Sequence, residues 1–363
     1  MTDTPIRVLI IDDSPTARAV LARLLQEDPR IEVVGKATDG MDGLKQVAEL
    51  KPDVITLDIE MPRLDGLQTL ERLMAETPTP VVMVSSLTRK GADATMRALE
   101  IGAVDFIEKP TSNGLIIGSE VGGLGLCDKV VSAAGVRVRR TRPVASKPLA
   151  TPAPVARAVR VDSGSWLRRT VVIGSSTGGP QALHALLSAL PEDLGVPVVV
   201  VQHMPAGFTH SLAERLNSLS PLHVSEARAG DRLEDGYVLV APGGYHLRFD
   251  AHGVAHLDDG PTECGVRPSI NVTMESIARA RGFSTVAVVL TGMGSDGTRG
   301  AELIRAAGGT VLAQDEASSV VYGMPRSVAV AGLVNEVHPL DEMADAIVRW
   351  CSAGATASAR RAG

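Results

Sequence analysis

Short apolar runs alternate with segments of helical periodicity through the first hundred residues. The runs, all between Ile6 and Lys109, are RVLIID, EVVGKA, DVITLD, PVVMVSS and AVDFIEKP. Ser14 and Pro15 precede the periodic stretch ARAVLARLL, and a capping hydroxyl followed by proline is typical of a helix start. Strands that alternate with helices in this way predict a flavodoxin-like, doubly wound α/β domain, in which ligands bind at the carboxyl ends of the parallel strands.

The same alternation returns after Thr170, with the apolar runs TVVIG, VPVVVVQH, YVLVAPGG, TVAVVLTG and GTVLAQ. It predicts a second doubly wound α/β domain. Between the two, residues 137–160 contain seven basic residues, four prolines and no acidic residue, a composition that indicates a flexible linker. The expected organisation is a first domain at 1–125, a linker at 126–166, a second domain at 167–352 and a frayed tail at 353–363.

Composition narrows the class of function. The 363 residues are 44% hydrophobic, enough for two cores, and the formal net charge is -6. That charge and an aromatic content of 2% argue against a nucleic-acid partner. The three cysteines are far apart, so we expect reduced thiols and no structural metal. No apolar run reaches the ~18 residues of a membrane helix, and the polar start MTDTP is unlike a secretory signal, so we expect a cytoplasmic protein with no direct membrane insertion.

Charged residues follow three predicted strands of the first domain. Asp12 and Asp13 follow VLII, Asp58 follows VITL, and Lys109 follows VDFIE. Each aspartate alone is also compatible with a helix or loop cap. Carboxylates gathered at one sheet edge repel unless a hard cation such as Mg²⁺ neutralises them, and a carboxylate beside that cation can attack a phosphoryl donor. The four residues together favour a phosphorylation site.

Residues 5–125 resemble the receiver domain of two-component response regulators through these strand-end residues and the serines of VMVSS. The resemblance implies that Asp58 is the phospho-acceptor and that Lys109 contacts the phosphoryl group. It also implies a Mg²⁺ site formed by Asp12, Asp13 and Asp58, with the backbone carbonyl of Glu60.

The same resemblance implies a switch that responds to phosphorylation. Its hydroxyl is Ser85 and its aromatic residue is Phe106, where many receivers carry tyrosine. The phenylalanine ring has no hydroxyl, so a switch step that depends on that hydrogen bond is absent. The resemblance further implies a cis peptide bond between Lys109 and Pro110.

The second domain has its own strand-end residues, at the ends of VVIGSSTGG, VVVVQHMP and VVLTGMGSDG: Ser176, His203 and Asp296. They would supply a nucleophile, a base and an orienting carboxylate for acyl transfer. Taken singly, His203 is also compatible with a structural histidine, Asp296 with a turn residue, and the glycines with a tight strand-to-helix turn. A phosphate cradle is disfavoured, because the stretch lacks the P-loop lysine and the G-x-G-x-x-G spacing. The order Ser, His, Asp also differs from the Ser, acid, His order of α/β-hydrolases.

Residues 170–348 resemble the catalytic domain of the chemotaxis protein-glutamate methylesterases, the CheB family, through IGSSTGGP, VQHMPAGFT, LTGMGSDG and QDEASSVVYGMPR. The resemblance implies the triad Ser176, His203 and Asp296, an oxyanion hole formed by backbone amides near Met293, and support from Thr177. Many members carry alanine where this chain has Ser175. The G-x-S-x-G register favours Ser176 over Ser175 as the nucleophile.

The combined resemblance implies a phosphorylation-activated serine esterase that hydrolyses glutamyl methyl esters on chemoreceptors, the methyl-accepting chemotaxis proteins, and also deamidates receptor glutamines. A histidine kinase of the CheA type would donate the phosphoryl group, and the unphosphorylated receiver would block the active site. A DNA-binding output is disfavoured, because strands rather than a helix-turn-helix pattern follow the linker. A catalytically silent, phosphorylation-dependent adaptor of the same fold stays open.

Overall fold

The computed structural model of the chain describes residues 4–86, 88–109, 125–136, 138, 169–281 and 284–359. The N-terminal domain contains a five-stranded parallel sheet in the order β2-β1-β3-β4-β5. Its strands are β1 (Ile6–Ile11), β2 (Ile31–Ala37), β3 (Val54–Asp58), β4 (Val81–Ser85) and β5 (Asp105–Glu108). The doubly wound fold predicted from the alternation of strands and helices is confirmed.

Five helices cover the two faces of this sheet. They are α1 (Pro15–Gln26), α2 (Gly40–Leu50), α3 (Gly66–Glu76), α4 (Arg89–Ile101) and α5 (Leu126–Ala134). The Ser14 side chain caps α1 by accepting from the Ala17 amide, as the sequence predicts. Helix α5 begins one residue after the expected domain boundary at residue 125, and it buries Leu126, Val130 and Ala133 against β1, β3 and β4. The fifth helix therefore belongs to the N-terminal domain, and the predicted linker residues 139–166 lie outside the described residues.

The C-terminal domain has a seven-stranded parallel sheet in the order β14-β13-β12-β6-β7-β9-β8, with a separate β10-β11 hairpin. The strands are β6 (Thr170–Ser175), β7 (Val198–Gln202), β8 (His223–Glu226), β9 (Tyr237–Val240), β10 (His246–Phe249), β11 (Ala255–Asp258), β12 (Thr285–Val289), β13 (Thr310–Gln314) and β14 (Glu336–His338). The chain adds strands to one side of β6 and later to the other, so the order reverses between β6 and β12. Ligands bind in doubly wound folds at such a switch point.

In the described residues this domain also contains six helices and a 3-10 turn at Leu340–Glu342. The helices are α6 (Gly179–Ala189), α7 (Phe208–Leu219), α8 (Ile270–Arg281), α9 (Thr298–Ala306), α10 (Met324–Val330) and α11 (Met343–Ala359). Helix α11 continues to Ala359, into the segment 353–363 that was expected to be a frayed tail. Buried Met343, Ala346 and Ile347 anchor the start of this helix to the core.

The two domains pack together through α4 of the first and α6 and α7 of the second. Asp93 accepts a hydrogen bond from the Ser211 hydroxyl at 2.7 Å, and Arg89 pairs with Glu214 at 3.1 Å. One hydrophobic cluster contains buried residues of both domains, among them Leu99 and Leu212. This contact brings the amino-terminal end of β5, at Asp105 and Phe106, against the C-terminal domain.

No helix among the described residues is long and apolar enough to span a membrane. The Lys109–Pro110 bond, expected to be cis, includes a residue outside the described part of the chain.

Candidate active site and phosphorylation site

Three carboxylates meet at the carboxyl edge of the N-terminal sheet, and we call them the acidic cluster: Asp12, Asp13 and Asp58. Asp12 follows β1 and Asp58 ends β3, the neighbouring strand, so the parallel register places them side by side. Lys109, which follows β5, reaches back with its Nζ 2.7 Å from Asp58 Oδ2 and 3.2 Å from Asp12 Oδ2. The structure thus gathers the residues that the sequence selected for phosphorylation.

The electrostatics of the acidic cluster favour a bound cation. Burial, together with the neighbouring carboxylate of Asp12, raises the pKa of Asp58 to about 6 in spite of Lys109. Burial also raises the pKa of Asp12. Oxygen atoms of the three carboxylates lie within 4.8 Å of one another, so they could ligate a single ion. One lysine cannot balance three carboxylates, and an oxygen donor set of this kind suits a hard divalent cation such as Mg²⁺. Glu60, whose carbonyl is the expected fourth ligand, lies exposed in the loop after β3.

The two switch residues have different surroundings: Ser85 contacts α4 of the receiver, and Phe106 contacts the C-terminal domain. Ser85 is buried, and its hydroxyl donates to the Gly91 carbonyl at 3.1 Å, in the first turn of α4. The Phe106 ring packs against the Phe208 ring of α7, with centroids 4.5 Å apart. The switch aromatic is therefore part of the domain interface.

Ser176 lies at the sharp turn between β6 and α6 at the switch point of the C-terminal sheet. Its amide donates to the Thr291 carbonyl at 3.0 Å, which ties the turn to the loop after β12. Gly178 has φ +78°, and a Cβ on Gly292 would lie 2.7 Å from the Ser176 Cβ. Gly178 thus allows the left-handed backbone of the turn. Gly292 has no side chain and so allows the loop after β12 to approach Ser176 closely.

His203 follows β7, the strand beside β6, and is held by Asp296. Its Nε2 lies 2.8 Å from Asp296 Oδ2, and both side chains are buried. Its Nδ1 is also buried and has no hydrogen-bond partner among the described residues. Because Ser175 of β6 pairs with Gln202 of β7, Ser176 and His203 are the first residues after a matched pair of strand ends. The adjacent strand ends bring Ser176 and His203 near each other, but among the described residues no hydrogen bond joins the Ser176 hydroxyl to His203.

The start of α8 holds the Asp296 carboxylate in place, a contact that sequence reasoning missed. Oδ2 accepts from the Ile270 amide at 2.7 Å, and Oδ1 accepts from the Asn271 amide and the Ser269 hydroxyl, each at 3.0 Å. Burial opposes ionisation, but the His203 contact and these amides outweigh it and hold the pKa of Asp296 below its ordinary value. The only signal in the sequence that could have indicated this contact is Ser269, a serine directly before the helical stretch of α8.

The two residues expected to support the esterase site both contact the N-terminal domain. The Thr177 hydroxyl donates to Asp105 Oδ2 at 2.6 Å, and Lys129 of α5 pairs with the other oxygen of Asp105 at 3.1 Å. The Ser132 hydroxyl of α5 lies 2.9 Å from the Met293 sulfur. The N-terminal domain therefore covers the loops on either side of Ser176, through residues of β5 and α5 that the sequence did not indicate.

Ser175, the other serine of the turn, is turned away from this site. It is completely buried, and its hydroxyl donates to the Gln202 side-chain oxygen at 2.7 Å. Its position supports the register argument for Ser176.

Two protein families match separate parts of the chain. Residues 8–118 match the response regulator receiver domain, and residues 171–347 match the CheB methylesterase. The crystal structure of the Thermotoga maritima CheB methylesterase catalytic domain is 44% identical and covers 50% of this chain and 98% of its own, with a TM-score of 0.49.

Relatives of known name match nearly the whole length. A protein-glutamate methylesterase/protein-glutamine glutaminase of Symbiobacterium thermophilum is 52% identical over 357 residues, which are 96% of this chain and 98% of that protein. One of the same name from Halalkalibacterium halodurans is 45% identical over 96% of this chain and 99% of its own length. The chain therefore belongs to the CheB family of protein-glutamate methylesterase/protein-glutamine glutaminases, with a response regulator receiver domain before the methylesterase domain.

Proposed function

We propose that the protein hydrolyses glutamyl methyl esters on chemoreceptors to glutamate and methanol, with Ser176 as nucleophile. The names of its relatives and their identity of up to 52% over the whole chain support the reaction. The observation that carries the choice of residues is the buried His203–Asp296 pair beside the turn of Ser176, in which the other imidazole nitrogen has no partner within the described part of the chain.

In the first half of the reaction, Ser176 Oγ attacks the ester carbonyl carbon while His203 Nδ1 accepts the hydroxyl proton. Asp296, hydrogen-bonded to Nε2, stabilises the imidazolium that forms. The bond to the methoxy group then breaks, and His203 returns the proton to the leaving oxygen, so that methanol departs. In the second half, His203 deprotonates a water molecule that attacks the acyl carbon, and it then returns this proton to Ser176 Oγ as the bond to Ser176 breaks and glutamate departs.

Backbone amides near Met293 are the proposed oxyanion donors, and Thr177 supports the same loop. Gly292 supports this role, because its missing side chain leaves the loop after β12 close to Ser176. Amide donors that already point to the place where the negative oxygen forms stabilise the transition state, and the protein does not have to rearrange.

Deamidation of receptor glutamines follows the same course, with ammonia as the leaving group in place of methanol. The relatives carry both activities in their names, which supports assigning both to this chain.

Control by phosphorylation is the remaining part of the proposal. Asp12, Asp13 and Asp58, with the Glu60 carbonyl, would hold Mg²⁺, which supplies positive charge to the phosphoryl oxygens. Asp58 takes the phosphoryl group from a CheA-type histidine kinase in the cytoplasm, and Lys109 pairs with it. Ser85 leaves its contact with α4 to bind the added oxygens, and the interface containing Phe106 loosens. The contacts of Asp105 with Thr177 and of Ser132 with Met293 support a docked receiver that withholds the site from receptors.

Methanol release from receptor membranes carrying labelled methyl esters tests the esterase. We expect release by the wild-type protein and none by Ser176→Ala, whereas Ser175→Ala keeps the activity. A Ser176→Ala protein as active as the wild type would contradict the assignment. Failure of a fluorophosphonate to label Ser176 in the wild type, in the presence of Mg²⁺ and a phosphodonor, would instead favour the inactive adaptor.

A further inference from the structure

Gln202 is a buried amide at the end of an otherwise apolar strand. Four valines precede it in β7, and its exposed fraction is 2%. A primary amide loses several hydrogen bonds to water when it is buried, so it is retained in such a place only where the protein replaces them. The partners that replace them indicate what the side chain does.

Among the described residues, every hydrogen bond of this amide goes to the two strand ends that carry the nucleophile and the base. Nε2 donates to the Ser176 carbonyl at 2.9 Å and to the His203 carbonyl at 3.2 Å, and Oε1 accepts from the Ser175 hydroxyl at 2.7 Å. One NH₂ group therefore links the main chain of Ser176 to that of His203.

The link lies where the sheet no longer holds the two residues together. The register between β6 and β7 ends at the pair Ser175 and Gln202, and the last backbone bond between these segments runs from the His203 amide to the Ser175 carbonyl. Beyond that point, hydrogen bonds of the Gln202 side chain replace the backbone hydrogen bonds between the two strands. A Cβ on Gly179 would lie 1.9 Å from the Gln202 side-chain oxygen, so the glycine leaves the space that the amide fills.

The two carbonyls also fix the orientation of the amide. If the side chain were turned over, its oxygen would face two carbonyl oxygens, which repel it, so the NH₂ group must point toward Ser176 and His203. The Ser175 hydroxyl satisfies the remaining oxygen, and its only hydrogen bond among the described residues is the one to Gln202. The two carbonyls, rather than Ser175, therefore determine the orientation of the Gln202 amide.

We propose that Gln202 is a positioning residue for the esterase, which sets the separation of the Ser176 and His203 main chains and so the distance over which the proton moves from Oγ to Nδ1. The inference rests on the proposed function, because it assumes that these two residues react. Misplacement of reacting groups by about 1 Å can lower a rate by roughly 100-fold. We therefore expect loss of the NH₂ group to lower kcat and to leave KM for the receptor nearly unchanged.

Two substitutions in the full chain remove the NH₂ group at nearly constant length: Gln202→Met and Gln202→Glu. We expect either to lower kcat by roughly 10- to 100-fold, with KM within about twofold. The second-order rate of Ser176 phosphonylation by a fluorophosphonate should fall by a similar factor, because that reaction needs His203 but not receptor binding. Ser175→Ala is the matched control, since it removes a buried hydrogen bond of the same amide but keeps both carbonyl contacts. Its kcat should stay within about threefold of the wild type.

Rates are divided by the folded fraction measured by circular dichroism, so a destabilised variant still reports on the proposal. Equal losses in the Gln202 variants and Ser175→Ala would show a merely structural role and overturn the inference, as would Gln202 variants with wild-type kcat and labelling rate. A wild-type protein that releases no methanol would refute the proposed function instead, so the two failures are distinguishable.

Discussion

The contact between Gln181 and the receiver offers a way to undock the two domains without touching either reaction centre. Gln181, on α6, donates through Nε2 to the carbonyls of Leu99 and Ala103 of the receiver, at 2.9 and 2.8 Å. Gln181→Ala removes both donors while the residue itself lies outside the triad. In the undocked protein, water solvates the two carbonyls. The substitution therefore raises the free energy of the docked state only.

The size of the effect follows from the cost of the unsatisfied carbonyls. Leaving a buried acceptor without its partner costs about 1–3 kcal/mol, so two such losses, partly relieved by water, amount to about 2–4 kcal/mol. Since 1.4 kcal/mol is a factor of ten, the equilibrium shifts toward the undocked state by roughly 30- to 800-fold. The rate cannot exceed that of the fully undocked protein. We therefore expect a rise of about tenfold or more in basal activity where the docked state dominates.

The assay is methanol release without phosphodonor, with Ser188→Ala as a control on an exposed turn of the same helix. Gln181→Ala should release methanol faster than both the wild type and Ser188→Ala, and phosphodonor should stimulate it less. Basal release equal to that of the wild type, with undiminished stimulation, would refute the argument that this interface holds the enzyme inactive.

Three further substitutions test the esterase site and the receiver core. Asp296→Asn removes the charge that orients His203, and kcat should fall by roughly 10³- to 10⁴-fold with little change in KM for receptor membranes. Gly292→Ala places a Cβ 2.6 Å from the Met324 sulfur and 2.7 Å from the Ser176 Cβ, so both fluorophosphonate labelling and thermal stability should fall, the latter by about 1–3 kcal/mol. Burial raises the pKa of Glu108 from 4.5 to about 7, so the folded state holds a proton that the unfolded state releases, and stability falls as pH rises through that window. Glu108→Gln should therefore raise the free energy of unfolding at about pH 8 by up to about 3 kcal/mol, seen as a higher Tm, and change it little at about pH 4. An equal change at both pH values would contradict the buried-acid explanation.

Apolar runs and the residues directly after them predicted most of the sheets and the positions of the candidate site. A parallel sheet places the carboxyl ends of neighbouring strands together, so Asp12 and Asp58 could be paired from the sequence, as could Ser176 and His203. The hairpin of β10 and β11 was missed because its strands are only four residues long and carry charged side chains.

The boundary of the receiver could not be placed from the sequence. The glycine-rich stretch GLIIGSEVGGLG comes directly before α5 and suggests that the linker has already begun. The helix that follows is only nine residues long, and packing against the receiver sheet stabilises it more than its own propensity does.

The partners of Gln202, Thr177 and Asp105 depend on register and docking, which no local pattern encodes. A glutamine at the end of a valine run is compatible with an exposed strand end until the neighbouring strand is known. The family resemblance implied a supporting role for Thr177, but its hydrogen bond to the receiver joins residues 72 positions apart.

Methanol release from methylated receptor membranes, measured on the intact protein before and after Mg²⁺ and a small phosphodonor such as acetyl phosphate, tests the whole account most directly. The account predicts release that rises with phosphodonor, stays at its basal level in Asp58→Asn, and is absent from Ser176→Ala under both conditions. Release that is unaffected by phosphodonor, or that persists in Ser176→Ala, would contradict the claim that a phosphorylated receiver controls a Ser176 esterase.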